Sequence, residues 1–116
     1  MTRSILLVDD DEALRDVLTE ALIDEGFTVS SSANGLEALT TLRAGLRPDV
    51  ILLDLMMPIM DGWAFREEQS RDPALASIPV VVVTAVHSLH KPIDARAILR
   101  KPFKLDELLG VLPTSG

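Results

Sequence analysis

Five short apolar runs divide this sequence, and three of them contain almost no polar residue. The runs occupy residues 5–8, 27–29, 50–53, 78–83 and 97–99. Continuous leucine and β-branched segments of this length are typical of strands that are buried on both faces, as in a parallel sheet covered by helices. This feature limits the fold more than any other, because such a sheet needs a helical layer on each side.

Helical patterns occupy the first two intervals between these runs. Apolar residues recur there with the spacing of one buried helix face, at Leu14, Val17, Leu18, Ala21 and Leu22 and then at Leu36, Leu39 and Leu42. Asp11 is expected to cap the first helix, and Gly26 predicts its end. Asn34 followed by Glu37 predicts the capped start of the second helix, which Gly45 ends.

Two further helices are predicted later in the chain. The third covers about residues 61–71, and a short final helix covers residues 105–112 before Pro113. The apolar face of the third helix is thin, because Arg66 and Gln69 stand where a second apolar turn would be expected.

The interval between the fourth and fifth runs does not follow the helical pattern. It has thirteen residues between Val83 and Ala97 and contains Pro92, whose ring would break a helix. We therefore predict a shortened or irregular fourth crossover, with His87 and His90 in a surface loop rather than a zinc site. Because strands and helices otherwise alternate, the sequence predicts an α/β fold with a doubly wound, five-stranded parallel sheet.

Length and charge exclude several classes of protein. A chain of 116 residues suits one domain over residues 1–116, and we expect no output domain beside it. Eighteen acidic residues against eleven basic ones argue against nucleic-acid binding. The absence of cysteine excludes a disulfide scaffold. The first residues resemble neither a signal peptide nor a membrane span, so we expect a cytoplasmic protein with no membrane contact.

Charged and hydroxyl side chains stand where the predicted strands end. Asp9 and Asp10 follow the first strand, Asp54 the third, Thr84 the fourth and Lys101 the fifth. Ligands of open parallel sheets bind outside the carboxyl ends of the strands, so these side chains are expected at one site. Neighbouring carboxylates repel one another unless a cation lies among them, and Mg²⁺ prefers oxygen ligands.

Such a site has the chemistry for phosphoryl transfer. Asp54 beside Mg²⁺, or Mn²⁺ in its place, can act as a nucleophile and form an acyl phosphate. The main-chain carbonyl of Met56 is a further candidate metal ligand. The Lys101 ammonium and the Thr84 hydroxyl would stabilise the charge on the transferring group.

Several motifs follow one another along the chain in a fixed order. They are ILLVDDDE at residues 5–12, DVILLDLMMP at 49–58, MDG at 60–62, VTA at 83–85 and KPF at 101–103. The ordered set resembles the receiver domain of two-component response regulators. The resemblance implies a flavodoxin-like fold similar to that of chemotaxis regulators. It also implies a phosphoryl donor, either a sensor histidine kinase or a histidine phosphotransfer protein.

The resemblance implies a role for each matching residue. Asp54 matches the phospho-accepting aspartate. Asp9 and Asp10 match the acidic pair that holds Mg²⁺, Asp10 directly and Asp9 through water. Met56 matches the residue whose main-chain carbonyl binds the metal.

Further roles follow from the same resemblance. Thr84 matches the switch hydroxyl, and Lys101 matches the lysine that pairs with the phosphoryl group. The bond from Lys101 to Pro102 is cis in the family, and a small residue such as Ala85 leaves room for the phosphoryl group. Ile98, however, stands where the family has an aromatic switch residue, and the chain has no tyrosine.

Two other functions compete with that of a phosphoacceptor. A haloacid-dehalogenase-type phosphatase also uses a nucleophilic aspartate, magnesium and a lysine, but it needs a second aspartate where this chain has Met56. A phosphorylation-independent binding module with a receiver fold would suit Ile98 and the altered crossover. The intact acidic set favours a signalling phosphoacceptor, which catalyses only its own phosphorylation and dephosphorylation and is not otherwise an enzyme. Its downstream protein target and its oligomeric state do not follow from the sequence.

Overall fold

Five parallel strands form one sheet in the computed structural model, which describes residues 3–86, 88, 89 and 91–112. The strands are β1 (Ser4–Val8), β2 (Thr28–Ser32), β3 (Val50–Asp54), β4 (Val80–Thr84) and β5 (Ala97–Arg100). Their order across the sheet is β2-β1-β3-β4-β5, which confirms the predicted doubly wound sheet. The predicted surface-loop residues His87 and His90 and the predicted helix stop Pro113 lie outside the described residues.

Four helices connect or follow these strands. They are α1 (Glu12–Asp24), α2 (Gly35–Arg43), α3 (Gly62–Arg71) and α4 (Leu105–Val111). The Asp11 carboxylate accepts a hydrogen bond from the Leu14 N–H at 3.1 Å, and the Asn34 side chain accepts one from the Glu37 N–H at 2.9 Å. These bonds confirm the two predicted helix caps. None of the helices in the described part of the chain has the length and apolarity needed to cross a membrane.

The central strands are buried between two helical layers. Leu6 and Val8 of β1 pack toward α2 and α3, whereas Ile5 and Leu7 pack toward α1 and α4. Both sets are buried, which is why these strands are apolar without alternation. β2 is longer than predicted because it pairs with β1 as far as Ser32, although its serines give it no apolar run.

The prediction of a buried side chain was wrong at two helix positions. Val17 of α1 and Leu36 of α2 were expected in the buried stripes, but both side chains are exposed. Helical spacing defines a broad stripe, and the sheet covers only its centre, at Leu18 and Leu22 in α1 and Leu39 and Leu42 in α2.

The polar residue Gln69 fixes the chain that follows α3. Its side chain is fully buried, and its amide nitrogen donates to the carbonyl oxygens of Leu75 at 3.0 Å and Ile78 at 3.1 Å. Gln69 therefore completes the inner face of α3 by bonding backbone groups, which explains how a helix with a thin apolar stripe packs on the sheet.

The fourth crossover has no helix among its described residues, which confirms the prediction of an irregular segment. Side chains of α3 attach it to the domain instead. The Trp63 indole nitrogen donates to the Lys91 carbonyl at 3.3 Å. Arg66 donates to the Asp94 carbonyl at 3.0 Å and pairs with the Asp94 carboxylate at 3.3 Å. Apolar side chains of the crossover also pack on this layer of the core, namely Leu89, Ile93 and Ala95.

We expect Arg66→Ala to lower the free energy of unfolding by about 1 kcal/mol, because its charged partner Asp94 is exposed. The local effect should be larger, with faster amide hydrogen exchange in the crossover than in β4 when exchange is followed by mass spectrometry. Arg43→Ala removes only an exposed pair with Glu68 and serves as the control. If amide hydrogens in the crossover of the Arg66→Ala variant exchanged at the wild-type rate, Arg66 would not be what holds the crossover against α3.

Candidate functional site

The polar residues predicted at the strand ends meet at one edge of the sheet. Asp9 follows β1, Asp54 and Thr84 end β3 and β4, and Lys101 follows β5. Asp9 and Thr84 are fully buried and Asp54 is 5% exposed, whereas Asp10 is exposed. The structure therefore brings together side chains that lie far apart in the sequence, because parallel strands present their carboxyl ends on the same side.

Three carboxylates and one ammonium form the centre of this site. One carboxylate oxygen from each of Asp9, Asp10 and Asp54 lies within 4.8 Å of the others. The Lys101 Nζ lies 2.8 Å from Asp9 Oδ2 and 3.7 Å from Asp54 Oδ2. The lysine offsets part of the repulsion between the carboxylates, and the remaining negative charge favours a cation.

The carboxylates of Asp9 and Asp10 differ in how many hydrogen bonds they already accept. Asp9 accepts the Asp11 N–H at Oδ1, at 2.9 Å, and the Lys101 ammonium at Oδ2. Asp10 has no hydrogen bond or ion pair to the described part of the chain. An all-oxygen set with one unengaged carboxylate fits a hard divalent cation such as Mg²⁺. Asp10 is thus better placed than Asp9 for direct coordination.

Electrostatics set the ionisation of Asp54 and Lys101. Burial raises the pKa of Asp54 to about 6, with the Asp9 charge adding to the rise and the Lys101 charge opposing it. Burial alone would lower the pKa of Lys101, but its bond to Asp9 and the Asp54 charge raise it above the ordinary lysine value. Lys101 is therefore charged at neutral pH. Asp54 loses its proton near pH 6, about one unit below neutral pH.

The loop between β3 and α3 determines where Asp54 points. The Gly62 N–H donates to the Leu55 carbonyl at 2.9 Å and closes the loop, and the Met56 N–H donates to Asp54 Oδ1 at 3.4 Å. A side chain at position 62 would have its Cβ 2.6 Å from the Asp54 carbonyl oxygen, so only glycine fits. Met56 is thus adjacent to the acidic group, and its carbonyl as a metal ligand stays a prediction.

The end of β4 and the start of the β5–α4 loop complete the site. The Lys101 N–H donates to the Thr84 carbonyl at 2.7 Å, which ties the lysine to β4. The Thr84 hydroxyl accepts the Val86 N–H at 3.1 Å. The peptide bond between Lys101 and Pro102 is cis, as the resemblance implied. Ala85 is exposed beside Thr84 and adds no bulk at the mouth of the site.

Ile98 lies on the side of the sheet that faces the irregular crossover. Its neighbours Ala97 and Leu99 pack toward α1 and α4, so the Ile98 side chain points to the opposite layer, where it is 38% exposed. It pairs in register with Val82. The position at which the resemblance implied an aromatic switch residue is aliphatic and exposed in this chain.

An apolar groove that the sequence did not reveal opens beside the acidic group. It has a volume of about 570 Å³ and lies between α1 and the β5–α4 loop. Its walls are mostly apolar and include Leu14, Val17, Leu18, Ala21, Phe103 and Leu105, together with Lys101. Val17 is 64% exposed, and only a tertiary structure shows that it faces a groove instead of the core.

Comparisons with known proteins agree with this geometry. The family model described as response regulator receiver domain matches residues 5–112. The chain is 42% identical over 115 residues to the response regulator MprA of Mycobacterium ulcerans, covering 94% of this chain and 48% of that protein. It is 36% identical over 110 residues to the DNA-binding dual master transcriptional regulator RpaA of Synechocystis sp., covering 90% of this chain and 45% of that protein. The chain thus spans about half the length of these curated relatives.

A solved structure shows the same architecture. The chemotaxis response regulator CheY4 of Vibrio cholerae superposes with a TM-score of 0.85 at 30% identity, covering 97% of this chain and 100% of that chain. The phosphorylated cyanobacterial phytochrome response regulator RcpA gives a TM-score of 0.78 at 30% identity, covering 96% of this chain and 89% of that chain.

Proposed function

Because the chain belongs to the family of response regulator receiver domains, we propose that it accepts a phosphoryl group on Asp54 and then changes its affinity for a partner protein. The donor is the phosphohistidine of a sensor histidine kinase or a histidine phosphotransfer protein. One observation carries the proposal: the Lys101 ammonium bridges Asp9 and Asp54 at 2.8 and 3.7 Å within a cluster of three carboxylates.

The reaction is a transfer between two side chains. An Asp54 carboxylate oxygen attacks phosphorus while the bond from phosphorus to the donor imidazole nitrogen breaks, giving an acyl phosphate. The imidazole leaves neutral, because its other ring nitrogen already carries a proton. With a pKa of about 6, Asp54 is mostly the carboxylate that this attack requires at pH 7.

Residues around Asp54 stabilise the charge on the transferring group. The Lys101 ammonium and the Thr84 hydroxyl are the donors at the ends of the neighbouring strands. Asp10, Asp54 and the Met56 carbonyl would hold Mg²⁺, with Asp9 bound through water. When bound, the ion supplies positive charge that offsets the repulsion between the carboxylates and the phosphoryl oxygens. The Met56 side chain carries no proton to donate, so it cannot act as the general acid that a phosphatase of this chemistry has at the same position.

Incubation with Mg²⁺ and acetyl phosphate tests the proposal, with the phosphorylated fraction measured by intact-protein mass spectrometry. We expect labelling of the wild-type protein and a loss of at least about 100-fold in rate for Asp54→Asn, which removes the nucleophile. Chelation of the metal should slow labelling strongly. Asp49→Asn, at the opposite end of β3, is the matched control and should be labelled normally. Labelling of Asp54→Asn at the wild-type rate would disprove the assignment.

A further inference from the structure

Asp9 forms a hydrogen bond at each of its polar groups. Its N–H donates to the Ser32 carbonyl at 3.1 Å, and its carboxylate accepts the Asp11 N–H and the Lys101 ammonium. Its main-chain carbonyl oxygen accepts a hydrogen bond from Nη1 of Arg15 at 2.6 Å. Three of these partners come from the neighbouring strand and from the site itself, whereas Arg15 belongs to α1 and takes no part in phosphoryl transfer.

Arg15 reaches the Asp9 carbonyl from the start of α1. Its N–H donates to the carbonyl of the capping residue Asp11 at 2.9 Å, so its backbone is fixed in the first turn. Side chains of a helix lean toward its N-terminus, and the half-buried Arg15 side chain therefore lies over the chain that enters α1. The guanidinium group thus links α1 to the residue that follows β1.

The positive charge of Arg15 has no carboxylate partner in the described part of the chain. The ion pairs there use other cations, namely Arg43, Arg66, Arg71 and Lys101. A cation near the start of a helix is disfavoured by the helix dipole, and beside the acidic site it would repel a bound Mg²⁺. The charge of Arg15 would therefore weaken metal binding, so any benefit to the site comes from the hydrogen bond to Asp9.

The Asp9 carbonyl and the Asp10 N–H belong to one planar peptide group, so a hydrogen bond to the carbonyl also fixes the direction in which Asp10 begins. No hydrogen bond or ion pair within the described chain holds the exposed Asp10 side chain, although its carboxylate lies in the acidic group. We propose that Arg15 is a positioning residue, which directs the Asp10 carboxylate toward Mg²⁺ by holding this peptide group. The inference rests on the proposed function. Arg15 acts only through the main chain and is not itself a metal ligand.

A titration with Mg²⁺ alone, followed by amide chemical shifts in NMR, tests this inference without any phosphoryl donor. We expect Arg15→Ala to raise the dissociation constant for Mg²⁺ about tenfold, as is common when a group that orients a metal ligand is removed. Arg15→Lys keeps the charge and an N–H donor but not the planar guanidinium. Its dissociation constant should therefore lie between those of wild type and Arg15→Ala. Arg43→Ala removes an exposed arginine that pairs with Glu68 at 3.9 Å, and it should bind Mg²⁺ as the wild-type protein does.

Labelling with acetyl phosphate separates positioning from a general loss of structure. For Arg15→Ala, the Mg²⁺ concentration that gives half of the maximal rate should rise about tenfold. The rate at saturating Mg²⁺ should stay within about threefold of wild type, because Asp54, Thr84 and Lys101 are unchanged. A purely structural role would lower the thermal midpoint and leave this Mg²⁺ concentration unchanged.

The direction of the change in Mg²⁺ affinity decides the inference. If Arg15→Ala bound Mg²⁺ as tightly as the wild-type protein, or more tightly, the guanidinium would act through its charge or not at all, and the inference would be overturned. If the wild-type protein bound Mg²⁺ but acetyl phosphate did not label Asp54, the proposed function would be wrong, while the dissociation constants would still decide the role of Arg15. A wild-type protein that did not bind Mg²⁺ would overturn both.

Discussion

Gly62→Ala is expected to lower the free energy of unfolding by about 3 kcal/mol and to slow phosphorylation of Asp54. The added Cβ would lie 2.6 Å from the Asp54 carbonyl oxygen and 2.8 Å from the Leu55 Cα. Both are backbone atoms in a closely packed region, so the end of β3 must move to make room, and it carries the nucleophile with it. Urea unfolding measures the first effect, and the rate of labelling with acetyl phosphate measures the second.

Gly110→Ala is the matched control for this substitution. A Cβ at position 110, inside α4, meets no atom within 4 Å. Alanine is the better helix former, so stability should rise by about 0.5 to 1 kcal/mol while the rate of labelling stays unchanged. If Gly62→Ala instead kept wild-type stability, the close contact between α3 and the end of β3 would not restrict residue 62 to glycine.

Removal of the phosphoacceptor itself is expected to stabilise the metal-free protein. At pH 7, Asp54→Asn should raise the free energy of unfolding by about 2 to 3 kcal/mol. Burial raises the pKa of Asp54 from 3.8 to about 6, so the folded chain keeps this proton to a higher pH than the unfolded chain. The wild-type protein therefore loses stability as pH rises through this interval, and the asparagine variant does not. The difference between them should be small below about pH 4 and constant above about pH 7.

Chemical denaturation at a series of pH values, with and without Mg²⁺, checks this expectation. Mg²⁺ should stabilise the wild-type protein, because it binds the folded carboxylates, and it should stabilise Asp54→Asn less. Asp16→Asn, at an exposed position of α1, is the control and should follow the wild-type pH profile. A stability difference between Asp54→Asn and wild type that is independent of pH would contradict the raised pKa.

Most of the fold can be predicted from the spacing of apolar residues along the chain. Helix α3 shows where this spacing is not enough to predict how a helix packs. The start of α3 was predictable from Asp61 and Gly62, but the roles of Arg66 and Gln69 were not. Each bonds main-chain carbonyls that the tertiary fold brings to it, at Asp94 and at Leu75 and Ile78. A hydrophobicity pattern records such residues only as interruptions, because their partners are backbone groups present in every sequence.

The same distinction applies to the candidate site. The positions of Asp9, Asp54 and Lys101 at predicted strand ends indicated that these residues would meet. All strands of a parallel sheet have their carboxyl ends at the same edge. The positive φ of Ile59, 71°, was not predicted, although Pro58 before it was a usable signal for a turn. The groove beside Lys101 also escaped prediction, since its walls come from two segments that lie far apart in the sequence.

The contact between α3 and the crossover gives this protein an intrinsic optical probe. Trp63 is its only tryptophan, and the chain has no tyrosine. The indole bonds the Lys91 carbonyl, and the Lys91 ammonium lies 5.7 Å from the ring centroid. Indole emission therefore originates at one junction, between α3 and the segment that starts after Thr84. A spectral change on phosphorylation would report movement at that junction without any attached dye.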